Sequence, residues 1–281
     1  MTSESETSVP ATWLEDPPRP SNALLASRDL LEGLQRSWLW STLALRDIKL
    51  RYQGSLLGPL WVTVSYAVMV ASISTIYARL FRQDVTSYMP FLMVGLVVWL
   101  FISSILTEGC VTFVNAAPII QQVRVPLSLH VYRTVSRCVL VFAHNLVIVP
   151  PGLYLLGVPL GWSALLAIPA IGVLIFNALW VSLLLGQLGA RFRDVPPIVA
   201  SAAQVIFVVT PIVWSGATLP DGMGILALNP FFAAVDIVRA PLLDGEVSRY
   251  SWPIILIVTA CGWATTFALF TRFRSRIPYW V

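Results

Sequence analysis

The chain is poor in charged residues. Asp, Glu, Lys and Arg make up 11% of its 281 residues, and hydrophobic residues make up 57%, whereas a soluble domain normally has about 25% charged residues. So few charges cannot cover the surface of a globule in water, which excludes an ordinary soluble protein. The composition therefore predicts an integral membrane protein.

Lysine is almost absent. Lys49 is the single lysine among 18 basic residues, and the net charge is +4. The arginines stand in short segments between apolar runs, whereas a nucleic-acid-binding protein gathers its basic residues on one folded face. We therefore expect no nucleic-acid partner.

Motifs of catalysis are missing as well. The sequence has no GxxxxGK[ST] loop for ATP and no GxSxG nucleophile motif. His130 and His144 are far apart and lack neighbouring acidic or cysteine ligands. We therefore expect no catalytic residue, no metal and no cofactor in this chain.

A carrier that works without an ATPase, or a membrane enzyme, is an alternative. An ion-coupled carrier needs ionisable residues within the membrane, and Glu108 and His144 are too few to form a proton relay. Transport without an ATPase would support this alternative.

Uncharged stretches locate the membrane spans, because a span needs about 20 apolar residues and a central charge opposes insertion. The stretch from Cys138 to Ala190 is long enough for two spans, and GVPLG at residues 157–161 offers a turn between them. The sequence thus predicts an all-α integral membrane protein with six spans, at about residues 58–78, 87–110, 134–156, 163–188, 196–215 and 252–271.

Basic residues predict the orientation of these spans. With the N-terminus inside the cell, 14 of the 18 Lys and Arg residues fall in cytoplasmic segments, and the other four, among them Arg239, fall outside. Cytoplasmic loops are enriched in Lys and Arg. We therefore expect both termini in the cytoplasm.

The segments outside the spans have their own patterns. Residues 1–26 are rich in Ser, Thr, Pro and Glu and predict a disordered cytoplasmic tail. Residues 27–51 predict one amphipathic helix in the cytoplasmic interface, and the apolar loop 215–249 predicts short re-entrant outer helices. Asp194 and Asn229 stand just before prolines and are expected to cap the helices that follow.

Three stretches carry a family resemblance. They are LRDIKLRYQGSLLGPLW at residues 45–61, ARFRDVPPIVASAAQVIFVVTPIVW at 190–214 and LNPFFAAVDIVRAPLL at 228–243. In this order and spacing they resemble the ABC-2 type permeases that export O-antigen, capsule and teichoic-acid polysaccharides. The resemblance covers residues 27–281, which would form one permease domain.

The resemblance implies a homodimer of the permease bound to two copies of a separate ABC ATP-binding subunit, which would bind ATP and Mg. A lipid-linked glycan would be the substrate, membrane lipid the surroundings, and the bacterial cytoplasmic membrane the location. An ABC-2 exporter of a drug or small lipid, with the same fold, is the alternative.

The resemblance also implies where the ATPase would dock, on residues 117–126 and on the interfacial helix. The candidates for this contact, together with the Arg-Asp turn before the fifth span, are Arg46, Lys49, Gln121, Arg124, Arg193 and Asp194.

Aromatic residues are dense in the first two predicted spans. Sugar rings pack their apolar faces on aromatic rings, so an export path should offer many of them. Aromatics also collect at membrane interfaces as anchors, so the pattern leaves both roles open. The candidates for the glycan path are Trp61, Tyr66, Tyr77, Phe81, Tyr88, Trp99 and Phe101.

Overall fold

The structure, a computed structural model, describes residues 21–55, 58, 60–214 and 228–281. These ranges form helices joined by turns, without a β-strand. The helices are α1 Asn22–Gln35, α2 Ser37–Arg51, α3 Leu60–Leu80, α4 Val85–Cys110, α5 Thr112–Asn115, α6 Ala117–Gln122, α7 Ser128–Leu146, α8 Val149–Leu155, α9 Ala167–Arg191, α10 Val195–Val209, α11 Pro230–Leu242, α12 Ser251–Phe273 and α13 Ile277–Trp280. Short 3-10 segments precede α9 and α13.

Five helical segments are long and apolar enough to cross a membrane. They are Leu60–Leu80, Val85–Cys110, Ser128–Leu155, Trp162–Arg191 and Ser251–Trp280. The prediction of an all-helical, multi-pass membrane protein is confirmed. The third segment begins earlier than predicted, because Arg133 and Arg137 lie inside the helix, where carboxylates pair with them.

The predicted span at residues 196–215 coincides with α10, which has 15 residues. Such a helix is about 22 Å long, shorter than the roughly 30 Å hydrocarbon core. Helix length alone therefore gives five spans. In the loop predicted to form outer helices, α11 is a described helix, and residues 215–227 lie outside the described residues.

The predicted single helix over residues 27–51 is wrong, because α1 and α2 are separate helices that meet at Arg36. Arg36 has φ −81° and ψ 40°, outside the helical region. α1 starts at Asn22, and the Leu24 N–H donates to the Ser21 hydroxyl at 3.3 Å. Residues 22–26 of the predicted tail are therefore helical, while residues 1–20 lie outside the described residues.

α4 is the central helix. Its run FLMVGLVVWLF is apolar on every side, which is typical of a helix buried on all faces. Helices α3, α7, α9, α10 and α11 surround it. At its C-terminal end α4 approaches α9 closely, since a Cβ on Gly189 would lie 2.0 Å from the Cys110 carbonyl oxygen. Small residues permit this approach between membrane helices.

The two predicted helix caps differ. Asn229 caps α11, because its Oδ1 accepts a hydrogen bond from the Phe231 N–H at 2.9 Å. The prediction for Asp194 is wrong, since its side chain makes no capping hydrogen bond to α10. Asp194 already has helical backbone angles, φ −82° and ψ −15°, whereas a capping residue is extended.

Candidate functional site

Five charged side chains form a cluster, which we call the interface charge cluster, at one end of the bundle. Its members are Asp47 and Arg51 in α2, Glu108 in α4, and Arg133 and Arg137 in α7. Arg133 and Arg137 stand one helical turn apart, so both side chains lie on the same face of α7. That face meets α2 and α4.

Arg137 binds two carboxylates at once. Its Nε and Nη2 donate to Glu108 Oε2 at 2.9 and 2.5 Å, and its Nη1 donates to Asp47 Oδ2 at 3.1 Å. Arg133 donates from Nε and Nη2 to the two oxygens of Asp47, at 2.8 and 2.5 Å. Arg51 Nη2 lies 3.3 Å from Glu108 Oε1 and is half exposed. The cluster fastens α2 to both α4 and α7.

Asp47 is charged at neutral pH. Burial alone would raise its pKa, but the hydrogen bonds and positive charges of Arg133 and Arg137 outweigh burial and lower the pKa below its ordinary value. The carboxylate is therefore a permanent bridge between the two arginines under cellular conditions.

A second anchor joins α1 to two other helices. Asp29, which is 2% exposed, accepts hydrogen bonds from the Leu127 and Ser128 N–H groups at 3.2 and 2.9 Å. It thereby satisfies the start of α7, whose N–H groups have no partner within the helix. Arg274, after α12, donates from Nε to Asp29 at 2.8 Å. A carboxylate thus fastens each of the two helices to the rest of the bundle, Asp29 in α1 and Asp47 in α2.

The six candidates for ATPase contact, Arg46, Lys49, Gln121, Arg124, Arg193 and Asp194, all have exposed side chains. The structure places Gln121 of α6 beside the C-terminus, where its Nε2 donates to the Val281 carbonyl at 2.8 Å.

The turn between α9 and α10, which holds Arg193 and Asp194, also reaches the C-terminal segment. The Arg191 guanidinium lies 5.2 Å from the Trp280 ring centroid, in cation–π contact. The structure therefore brings Gln121 and the end of α9, two residues before Arg193, to the C-terminal segment, whereas Arg46 and Lys49 lie on α2. For all six candidates, contact with an ATPase stays a prediction.

The aromatic candidates fall into two groups. Tyr66, Tyr88, Trp99 and Phe101 are buried within the protomer. The hydroxyls of Tyr66 and Tyr88 donate to the Met93 and Val213 carbonyls. The ring of Trp99 packs on Phe207, and that of Phe101 packs on Phe142.

Three aromatics lie nearer the surface. Trp61 is 56% exposed and Tyr77 is 36% exposed on α3, while Phe81 is half-buried between Tyr77 and Tyr88. Contact with a glycan stays a prediction for all seven rings. Trp61 and Tyr77 are the two whose side chains are exposed on the protomer surface.

Arg239 is a buried charge within the segment predicted to lie outside the membrane spans. The structure places it in α11, where it is 6% exposed. Its Nη1 donates to the Pro211 carbonyl at 3.1 Å, and its guanidinium lies 4.0 Å from the Phe91 ring centroid. The sequence feature that could have revealed this role is a charged residue within an apolar helix. In a membrane protein such a residue usually pairs with another side chain or with a backbone carbonyl.

Comparison with known proteins decides the family. The sequence model of the ABC-2 type transporter family matches residues 39–243, which is more than half of the chain. The chain belongs to the ABC-2 type transporter family. The resemblance noted from the three stretches is thereby confirmed.

The ABC-2 chain is similar to permeases that are named for O-antigen export. It is 27% identical over 237 residues to the O-antigen export system permease protein RfbA of Klebsiella pneumoniae, covering 82% of this chain and 90% of that protein. It is 24% identical over 216 residues to the O-antigen export system permease protein RfbA of Myxococcus xanthus, covering 74% and 82%.

The ABC-2 match includes all five members of the interface charge cluster. Asp29 and Arg274 lie outside it. The bundle also has a partly open, apolar cavity of about 370 Å³ between α4, α9, α11 and α12. The polar side chain on its wall, Asn177, already bonds Thr259 and Trp180. A sugar would lose its hydrogen bonds to water there, so this cavity does not suit a glycan.

Proposed function

We propose that this chain is the permease subunit of an ABC transporter that exports a lipid-linked polysaccharide, such as O-antigen or capsule, across the bacterial cytoplasmic membrane. The similarity to an O-antigen export permease over 82% of this chain and 90% of the relative carries the proposal. Likeness over whole permeases supports a shared task more strongly than one motif would. A relative from a second organism is also named as an O-antigen export permease.

α10 supports a sixth span. Phe207 packs on Trp99, with ring centroids 5.6 Å apart, and further along the chain the Val213 carbonyl accepts a hydrogen bond from the Tyr88 hydroxyl. The later residue of the α10 segment, Val213, contacts the earlier residue of α4, Tyr88, so the two segments run antiparallel. Residues 195–213 therefore extend along most of the length of α4. Six spans put both termini on one side, and the basic residues favour the cytoplasm.

Energy would come from a separate ABC ATP-binding subunit, which would bind ATP and Mg, because this sequence has no phosphate-binding loop. The subunit would dock on the exposed surfaces of α2 and α6. The interface charge cluster would transmit its movement, since Asp47 on α2 is bonded to Arg133 and Arg137 on α7. Movement of α2 then reaches α4 through Glu108.

The passage would lie between two copies of the chain. Trp61, Ser65 and Ser72 share one exposed face of α3, and Gln204 is exposed on α10. A glutamine amide that faces lipid has no hydrogen-bond partner there, which is unfavourable. A second copy with a hydrated path between the copies would satisfy these groups and present Trp61 to the sugar.

Cross-linking tests the dimer. In a variant with Cys261→Ala, Ser72→Cys should give covalent dimers in membranes, whereas Thr265→Cys on the exposed face of α12 should not. Equal dimer yields from both cysteines would argue against an interface at α3.

Gene deletion tests the export itself. Loss of the surface polymer, with lipid-linked glycan trapped at the inner face of the membrane and rescue by the wild-type gene, is the expected result. Unchanged surface polymer without a trapped intermediate would instead support an exporter of a drug or small lipid on the same fold.

A further inference from the structure

A polar pocket lies next to the interface charge cluster, between α5 and α7. Its volume is about 40 Å³. One water molecule occupies roughly 10 to 15 Å³ of such space, so the pocket has room for about three waters or one compact oxyanion. The polar residues on its wall are Thr112, Asn115, His130, Arg133, Thr134 and Arg137.

His130 is the residue on the pocket wall whose ring forms no hydrogen bond within the part of the chain that the structure describes. Its side chain is 2% exposed, and neither ring nitrogen has a hydrogen-bond partner among the described residues. An unsatisfied buried polar group costs about 1 to 3 kcal/mol. A molecule bound in the pocket would give the ring the partner it lacks.

The wall offers donors suited to an anion. Arg133 binds Asp47 through Nε and Nη2, so its Nη1 is not needed for that pair. The Thr112 hydroxyl has one proton and two acceptors within reach, the Glu108 carbonyl at 3.2 Å and the Thr134 hydroxyl at 3.3 Å. Asn115 is exposed at the mouth and adds an amide. The donors that remain for an anion are therefore the guanidinium and the amide. Guanidinium groups match the spacing of phosphate oxygens.

We propose that this pocket binds a phosphate-type oxyanion. It lies at the end of the bundle that the proposed orientation places among the cytoplasmic head groups. The ligand is therefore the phosphate of a lipid head group or free phosphate. Assignment to the lipid carrier of an exported glycan rests on the proposed function, whereas the oxyanion site itself does not.

Binding to the purified full-length chain tests the pocket. The probes are inorganic phosphate and an isoprenyl phosphate, in a detergent with a sugar head group, and native mass spectrometry measures the bound fraction. Loss of one hydrogen bond to a charged ligand weakens binding about tenfold or more. We expect that loss in His130→Leu and in Asn115→Ala. His144→Leu is the matched control, since His144 bonds the Leu140 carbonyl outside the pocket, and it should bind as the wild type does.

The outcomes separate the ligand sources. Tighter binding of the isoprenyl phosphate, with competition by inorganic phosphate, supports a lipid head group, and equal affinities support free phosphate. The oxyanion site would be rejected if neither probe bound, or if binding stayed unchanged in both pocket variants. The pocket would then contain only water. Should His130→Leu fail to fold, Asn115→Ala carries the test. A negative result leaves the export proposal standing, because export is scored by surface polymer in the deletion strain.

Discussion

Arg137 of α7 and Glu108 of α4 form an ion pair in which Nη2 and Oε2 are 2.5 Å apart. Both side chains are mostly buried, at 15% and 25% exposure. Because Arg137 also reaches Asp47 of α2, one guanidinium connects α2 to α4 at the centre of the bundle. A force applied to α2 therefore has a direct, charged route into α4.

Removal of this guanidinium should loosen the protein. Arg137→Gln removes the charged hydrogen bonds to Glu108 and Asp47, so that Glu108 keeps only the half-exposed Arg51 and Asp47 keeps only Arg133. Each lost hydrogen bond to a charged group costs roughly 1.5 to 3 kcal/mol. We expect a clear fall in the thermal unfolding midpoint and loss of export. Arg249→Gln, at an exposed arginine, should leave both unchanged. Equal midpoints for the two variants would contradict the role of the cluster.

The Asp47 contribution should depend on pH only in strong acid. Its folded-state pKa lies below the ordinary value, so the stabilisation is complete above the unfolded-state pKa of about 3.9 and is lost as the pH falls through the folded-state pKa. The midpoint difference between wild type and Asp47→Asn should stay constant from about pH 8 to 5 and shrink below about pH 4. A difference that disappears near neutral pH would show that another group controls α2.

The close contact of α4 with α9 makes a matched pair of glycine variants informative. A methyl group at Gly189 would lie 2.0 Å from the Cys110 carbonyl oxygen, whereas one at Gly172 meets nothing within 4 Å. Gly189→Ala should destabilise the protein by about 1 to 3 kcal/mol, and Gly172→Ala should be neutral or stabilising, by up to about 1 kcal/mol. Thermal unfolding in detergent measures both, and similar midpoints would refute the contact.

Local patterns in the sequence predicted much of the fold. Hydropathy is a property of consecutive residues, so five spans could be found from apolar runs. The Asn229 cap was predictable because its partner, Phe231, is two residues away. The break at Arg36 was missed, because the apolar residues of α1 and α2 continue at helical spacing across it.

The candidate site was harder to predict. Glu108 and Arg137 are distant in sequence, and their pairing depends on how α4 and α7 pack. The burial of Arg239 was hard to predict for a related reason, since a charge beside apolar residues fits a loop or a buried pair equally well until its partner, the Pro211 carbonyl, is known. The vacant hydrogen-bond capacity of His130 is likewise visible only after folding.

Arg124 gives the sharpest test of ATPase docking. It is exposed after α6, and charge reversal in Arg124→Glu should repel whatever acidic surface it meets. We expect the ATP-binding subunit to stop co-purifying with the permease. Arg249→Glu, on the predicted outer side, is the control. Retained co-purification together with normal export would remove Arg124 from the docking surface.

Two exposed tryptophans separate the glycan path from a membrane anchor. Trp61 is 56% exposed on the α3 face proposed to line the passage, and Trp162 is 89% exposed before α9. Trp61→Ala should lower the amount of surface polymer severalfold, because a stacking surface for sugar rings is lost. Trp162→Ala should have little effect at equal expression. The opposite order would place the path elsewhere.

Transport in a purified system tests the central claim most directly. The permease and its ATP-binding subunit are reconstituted in liposomes, lipid-linked glycan is added to the ATP-accessible face, and glycan that reaches the lumen is measured by its protection from an added glycosidase. We predict protection that requires ATP, both subunits and an intact Arg137. Protection without the permease, or none with the complete system while a small lipid is moved instead, would contradict polysaccharide export.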